Sequence, residues 1–413
     1  MMPIEIAARI GERRQFRAIP FAFSKGHGQA VASSPESGSN PAETNSLHEG
    51  GTPNLAGESD LAIALILPDR HKHERAYRGA LNMAQLRIGV LGAGRIVPTA
   101  LIVPAREVKD VVVAAVAARD GARAAAFAAK HGIAKAYSDY EALMADPEID
   151  AIYNPLPNGL HGHWTIAALT AGKHVLCEKP FTANAEEAEQ VAEVARRTGL
   201  VTMEAFHYRY HALTQRMLDI IASGELGAVR RIETWLCIPL IVKDIRWQHD
   251  LAGGSLMDVG CYTIHMLRTL AGAEPVVRSA RAKLRSPGID RLTTAEFAFA
   301  DGRTGAITAS MLSIRLLSMG ARVIGTDGSM KCFNPLMPQH GHSLTIRSKS
   351  GKRKERVERQ PSTYLAQLRA FSGAVLRGEP FPTGVDDAIA NMRVIDAVYQ
   401  AAGLQRREPT PAR

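Results

Sequence analysis

Three short stretches of this 413-residue chain hold the residues best placed to do chemistry. In the first, Gly92-Ala93-Gly94 follows the apolar run Leu86 to Leu91 and opens a helical stretch that begins with Arg95 and Ile96. Backbone N–H groups without side chains in the way can close there on a pyrophosphate at the positive end of a helix. Val97 and then Pro98 stand where a third glycine is usual, which sets the helix further from its strand but leaves the phosphate contact intact. In the second stretch, Lys179 ends the run His174 to Cys177 through Cys177-Glu178-Lys179-Pro180, at the carboxyl end of a strand, where a doubly wound sheet receives its ligands. In the third, Asp258 and Tyr262 are four residues apart, a spacing that stacks both side chains on one face of a helix. A tyrosine packed in the core with its hydroxyl satisfied is the alternative for Tyr262.

One further position concerns the nucleotide. An acidic side chain at the end of the second strand would read a ribose hydroxyl, but the chain has Ala117-Ala118-Arg119-Asp120. The planar fork of Arg119 suits a 2′-phosphate, so NADP is expected, with NAD possible. The alternative makes Arg119 a surface residue and Asp120 a helix N-cap.

The elements needed to position these residues are legible in the hydrophobic pattern. Strands are expected at Leu86 to Leu91, Val111 to Ala117, Ala151 to Asn154, His174 to Cys177 and Val201 to Ala205. Helices fit between them at Arg95 to Ala105, Gly121 to His131, Asp139 to Ala145, Leu160 to Ala171 and Ala185 to Thr198. That alternation implies an α/β, doubly wound parallel sheet. After a helix at Leu213 to Ala222, consecutive strands at Val229 to Cys237, Val276 to Leu284, Thr293 to Ala300, Gly305 to Ser313, Arg322 to Gly325 and Ser343 to Arg347 imply a largely antiparallel sheet. A helix at Ser255 to Leu270 should pack on one face, and helices at Tyr364 to Leu376 and Val385 to Tyr399 should close the fold. The expected division is a disordered or misannotated leader over 1–83, a nucleotide-binding domain over 84–205, a C-terminal α+β domain over 206–402 and a frayed tail over 403–413.

The Glu178-Lys179-Pro180 run, the Gly-Ala-Gly turn and the stretch Gly253-Gly254-Ser255-Leu256-Met257-Asp258-Val259-Gly260-Cys261-Tyr262 together resemble the Gfo/Idh/MocA oxidoreductases, over about residues 85 to 400. The resemblance implies a Rossmann domain followed by an α+β substrate domain, and hydride transfer between nicotinamide and a carbinol or carbonyl carbon of a sugar, polyol or dihydrodiol. Tyr262, where many members carry histidine, is similar to the branch with glucose-fructose oxidoreductase and the NADP-dependent xylose and dihydrodiol dehydrogenases. It further implies cofactor contacts from Gly92, Gly94, Arg95, Ile96, Arg119, Pro155, Asn158, His161, Glu178 and Lys179, and catalysis by Lys179, Tyr262 and Asp258. Alcohol oxidation needs a proton acceptor, and a tyrosine of pKa about 10 serves only if a cation such as Lys179 stabilises its phenolate. Asp258 would orient the hydroxyl or relay its proton. Tyr208, Arg209, Arg246 and Trp247 are candidate substrate contacts, whereas His265 is expected to be a satisfied structural group.

Composition narrows the alternatives. A net charge of +9 would suit nucleic acid only if the basic residues were gathered. They are scattered except for Arg347 to Arg359, with seven Lys or Arg against two Glu, expected as a solvated hairpin or loop. No nucleic-acid or membrane partner is expected, nor a metal, since the four cysteines lack ligand spacing. A cytoplasmic homo-oligomer joined through the C-terminal sheet is the expected form. Two other functions remain open. A dinucleotide sensor would not need Lys179, Asp258 and Tyr262 together, and a redox-assisted glycoside hydrolase with retained NAD would cleave glycosides without net reduction of added cofactor.

Overall fold

The computed structural model describes residues 85–240, 243–313, 317–358 and 361–411, all within one compact unit. The expected leader lies outside these residues. Among the described residues no helix is long and apolar enough to cross a membrane.

The first sheet has six parallel strands: β1 (Leu86–Leu91), β2 (Val111–Ala117), β3 (Lys135–Tyr137), β4 (Ala151–Asn154), β5 (His174–Cys177) and β6 (Thr202–Glu204), in the order β3-β2-β1-β4-β5-β6. Leu86, Ile88, Val90 and Leu91 are all buried, the near-continuous apolar run expected of a strand covered on both faces. Four of the crossover helices, α2 (Gly121–His131), α3 (Tyr140–Ala145), α4 (His161–Thr170) and α5 (Ala185–Thr198), fall where the pattern placed them. Their ends follow local chemistry. Asn184 caps α5 by accepting from the Glu187 amide, Glu186 and Glu187 occupy its first turn, Arg196 and Arg197 its last, and Gly199 stops it at φ 68°.

The helix after the glycine turn departs from expectation. Instead of running from Arg95, α1 begins as a wide turn at Pro98–Ile102, where the Val103 amide reaches the Pro98 carbonyl, and ends as Val103–Ala105. Pro98 and Pro104 explain this, because neither has an N–H for an ordinary ladder, and the ring of Pro104 is accommodated by widening the turn before it.

After α6 (Ala212–Ala222), the second sheet has β7 (Val229–Cys237), β8 (Val276–Ser286), β9 (Ile289–Ala298), β10 (Thr304–Ser310), β11 (Ser318–Gly325), β12 (Ser329–Phe333), β13 (Ser343–Ser348) and β14 (Gly351–Glu355). The order is β14-β13-β12-β11-β7-β10-β9-β8, and every pair is antiparallel except β7 with β10. Residues 347–355 of the basic run lie in the β13–β14 hairpin, in which Arg353 pairs with Glu225 and with Glu355. Charges on an edge strand hinder pairing with another chain.

Helix α7 lies across the inner face. It opens with a wide turn at Leu256–Gly260 and continues as Cys261–Ala271. It approaches β10 so closely that a Cβ on Gly305 would stand 2.9 Å from Leu267 Cδ1. Two last helices, α8 (Thr363–Arg377) and α9 (Val385–Ala401), complete the described fold.

The described part of the tail, residues 403–411, does not fray. Arg407 is 1% exposed, donating to the carbonyls of Gly253 and Gly288 at 2.8 Å and to Asp290 at 3.2 Å, with its guanidinium 4.4 Å from the Tyr399 ring centre. Its own carbonyl accepts from Asn184, Arg406 pairs with Glu186, and the Thr410 amide donates to Gly159. The strap therefore fastens the first sheet's helices to the second sheet. Fraying was expected from terminal position alone, and the fully buried carboxylate of Asp290, which holds Arg407 in place, lies more than a hundred residues upstream.

Candidate active site

The glycine turn is tied to the end of β2, since the Gly92 amide donates to the Ala117 carbonyl at 2.7 Å. Gly92 has φ 86°, a conformation that favours glycine. A Cβ on Gly94 would meet nothing nearer than Val97 Cγ2 at 3.7 Å, so packing does not demand this glycine and the hollow beside it stays open. The amides of Ala93, Arg95 and Ile96 have no partner among the described residues, whereas those of Gly94 and Val97 bond within the turn. An open hollow beside unpaired donors fits a pyrophosphate.

Arg119 is exposed beyond β2, and Asp120 caps α2 by accepting from the Arg123 amide. Arg123 was not singled out in the sequence. Its guanidinium donates to the Ala93 carbonyl at 2.9 Å, which brings a second cation to the same rim. The spacing of four from Arg119 was the available signal.

Beyond β4, His161 bridges the carbonyls of Pro180 and Leu156, 2.7 Å from each ring nitrogen. Burial pushes this imidazole down to about 4 against the pull of the two carbonyls. The bridge fixes the loop of Pro155 and Asn158 against the segment after β5, and Asn158 donates to the Ala252 carbonyl at 3.2 Å. Glu178 is buried and accepts from Tyr153 at 2.8 Å. Burial raises its carboxyl, although Lys179 and Tyr153 oppose the shift.

Lys179, Asp258 and Tyr262 come together. The Lys179 ammonium donates to the Asp258 carbonyl at 3.2 Å and stands 3.5 Å from its Oδ1. Burial works to lower the ammonium's pKa, but Asp258, Cys261 and Glu178 outweigh it and the net direction is up. Asp258 is pushed up by burial but held below the usual carboxylate range by Arg246 and Lys179. Arg246 meets its Oδ2 at 2.7 Å and Asp244 at 3.2 Å, and Arg95 meets Asp244 at 3.2 Å. A row of alternating charge thus runs from the glycine turn through Arg95, Asp244, Arg246 and Asp258 to Lys179.

Tyr262 is placed differently from the expected lysine–phenolate pair. The Lys179 ammonium lies over its ring, 5.1 Å from the centroid, and the hydroxyl meets His207 Nε2 at 3.1 Å. Burial pushes the phenol well above 10, so it is neutral at ordinary pH. His207 is a site residue the sequence did not reveal.

The candidate substrate residues divide. Arg246 and Trp247 border the charge row, and the Trp247 indole nitrogen is buried with no partner among the described residues. Arg209 is half-buried in the short turn His207–Tyr210. Tyr208 has no exposed surface, and its hydroxyl bonds His265 Nδ1 at 2.5 Å while His265 Nε2 donates to Asp387 at 2.9 Å. Tyr208 therefore belongs beneath the cleft instead of lining it, and His265 is satisfied on both sides. A cavity of about 670 Å³ beside Arg87, Asp150 and His174 opens at the amino ends of the strands, the end opposite Lys179.

Residues 86–206 match the family described as "Oxidoreductase family, NAD-binding Rossmann fold", and residues 214–331 match the "GFO/IDH/MocA C-terminal domain". A D-xylose 1-dehydrogenase (NADP(+)) from Haloferax volcanii is 38% identical over 77% of this chain and 97% of its own length. A trans-1,2-dihydrobenzene-1,2-diol dehydrogenase from Bos taurus is 35% identical over 60% of this chain and 75% of its own length. Among solved structures, KijD10, a 3-ketoreductase from Actinomadura kijaniata in complex with NADP and TDP-benzene, superimposes with a TM-score of 0.72 at 28% identity. It covers 77% of this chain and 98% of its own.

Proposed function

This chain belongs to the Gfo/Idh/MocA family of oxidoreductases, and from that premise we propose that it is an NADP-dependent dehydrogenase or reductase of sugar-type alcohols and carbonyls. The observation that carries the reading is the convergence of Lys179, Asp258 and Tyr262 at the end of β5, joined by charge to a glycine turn with unpaired amides.

Bound NADP supplies the redox equivalent at the nicotinamide ring. The chain does the rest. Gly92, Gly94 and the amides of Arg95 and Ile96 hold the pyrophosphate, while Pro155, Asn158, His161 and Glu178 shape the strand-end loops that flank the ring. Lys179, kept charged by Asp258, places a cation beside the substrate oxygen, where negative charge grows in the transition state. Tyr262 exchanges the oxygen's proton, and Arg246, Trp247 and Arg209 contact the remaining hydroxyls.

A panel of aldoses, polyols and dihydrodiols, followed by absorbance with NADP and with NAD, tests this reading. Growth of reduced cofactor with at least one member is expected. Glycoside cleavage without net reduction would replace the reading with the retained-cofactor hydrolase.

Arg119 carries the cofactor preference. Arg119→Ala should weaken NADP by about 10- to 100-fold, the value of a charge-assisted pair of about 1.5 to 3 kcal/mol, and leave NAD nearly unchanged. Fluorescence titration with both cofactors reads the difference, and equal losses would make Arg119 structural.

The outer face of the second sheet suits a homo-oligomer. Phe333, Gly320, Trp235 and Thr308 stand in register across β12, β11, β7 and β10, and Phe333 is 49% exposed. Phe333→Asp should shift sedimentation toward the monomer, and an unshifted oligomer would refute this interface. The buried thiols Cys177, Cys261 and Cys332, none of them in a disulfide, suit a reducing cytoplasm, a placement that fractionation of the protein elsewhere would overturn.

A further inference from the structure

Resting on that reading, we propose that Tyr262 works as a neutral phenol, and that His207 is its positioning residue, holding the hydroxyl and receiving its proton as substrate is oxidised.

The geometry starts from the element junction. His207 lies in the short turn His207–Tyr210 after β6, and Tyr262 lies on α7. Thr363 opens α8, so three distant parts of the chain meet at one imidazole. His207 Nε2 is 3.1 Å from the Tyr262 hydroxyl and Nδ1 is 2.9 Å from Thr363 Oγ1. Tyr364 packs against the ring, with centroids 4.2 Å apart and the planes tilted by 37°, and His207 and Thr363 are 3% and 0% exposed.

Which nitrogen carries the proton follows from acid strength. A neutral imidazole has one donor and one acceptor. Of its two hydroxyl partners, the phenol, with an ordinary pKa of about 10, is far more acidic than an aliphatic alcohol. The phenol is the better donor, and the threonine oxygen is the better acceptor. Tyr262 therefore donates to Nε2, and Nδ1–H donates to Thr363. Among the described residues, the groups around the ring, Lys179, His211, Tyr262 and Tyr364, include no carboxylate, so none of these holds an imidazolium in the resting protein.

A phenol that already has its proton can accept another only by giving one up. Nε2 is the atom placed to take it. In oxidation, the substrate C–H bond breaks with its electron pair going to the nicotinamide, and the substrate O–H proton passes to the Tyr262 oxygen. The Tyr262 O–H proton passes in the same movement to His207 Nε2. A carbonyl, an intact phenol and an imidazolium result. The imidazolium takes up the positive charge that the nicotinamide loses, so the net charge of the site does not change. Reduction runs the same transfers backward. Burial and the Lys179 cation push His207 down to about 3 and so oppose the transfer, which confines its imidazolium to the moment of turnover, when the nicotinamide loses its own positive charge.

Nitrogen-15 NMR of the cofactor-free protein, assigned by comparison with His207→Gln, tests the tautomer. A pyridine-like Nε2 and a protonated Nδ1 are expected, and the opposite tautomer would overturn the proposal. His207→Gln keeps an acceptor for the phenol but cannot take its proton, so kcat should fall at least tenfold while KM and NADP affinity stay within about twofold. Rate retained in His207→Gln, on a substrate the unaltered enzyme turns over, would also overturn it. If His207→Gln does not fold, Thr363→Val leaves the tyrosine and histidine in place and should lower kcat while mobilising the Nδ1 proton; an unchanged kcat and tautomer would count against the relay. An unaltered enzyme inactive on every alcohol would instead sink the dehydrogenase reading, and the NMR result would stand apart from it.

Discussion

Lys179→Ala should lower turnover by roughly a hundredfold or more, the scale lost when an acid–base or electrostatic group is removed, while NADP binding changes little. The side chain is 14% exposed and its ammonium lies between the Asp258 carboxylate and the Tyr262 ring, so its charge acts in a poorly screened site. After the substitution Asp258 keeps Arg246 at 2.7 Å, so the protein should fold and the loss should fall on the chemical step. Single-turnover kinetics separate that step from cofactor binding. A loss below tenfold would remove Lys179 from the mechanism. Because the ammonium's pKa is raised, it stays charged throughout the neutral range, and no break in the pH–rate profile near neutrality should disappear in Lys179→Ala.

The second large effect concerns stability. Arg407→Ala should cost about 3 to 5 kcal/mol, the usual result of removing one partner from a buried ion pair. Asp290 is 0% exposed and also accepts from Ser255, the Leu256 amide, Thr293 and Tyr399. Those donors keep the carboxylate hydrogen-bonded, but none brings a charge to balance it. Urea unfolding gives the difference directly. A change under about 1 kcal/mol, the worth of an exposed pair, would show that the strap adds little.

Much of the scaffold was legible because it is written in local periodicity. The buried apolar runs Leu86–Leu91 and Val111–Ala117, and the fully capped Ala185–Thr198, have the boundaries their patterns implied. The strands that escaped notice, β3 and β12, are three and five residues long, and too few alternations fit in them to show a period. Two wide turns also escaped, since Asp258 to Tyr262 reads as ordinary helix until Leu256–Gly260 is seen to open it.

In the site, the positions of Lys179, Asp258 and Tyr262 could be anticipated from strand ends and helix spacing. Their partners could not. His207 meets Tyr262 across 55 residues and Thr363 across 156, and Asp244 acquires meaning only when Arg95 is seen 149 residues away. Such pairings depend on where the two sheets stack, which no window of sequence contains. Tyr208 illustrates the reverse. It adjoins the correct segment, but its neighbour His207 faces Tyr262 while Tyr208 itself faces His265.

The strap has a bearing on how the molecule is made. Proteins generally fold from the amino end as they are synthesised, so both sheets can assemble while translation continues. The guanidinium that balances Asp290 and the amide that holds Gly159 belong to Arg407 and Thr410, which follow every strand and helix described above. A nascent chain has every strand and helix of the body before it has this fastening. The two halves of the site are thus fixed to each other only after both sheets have been made.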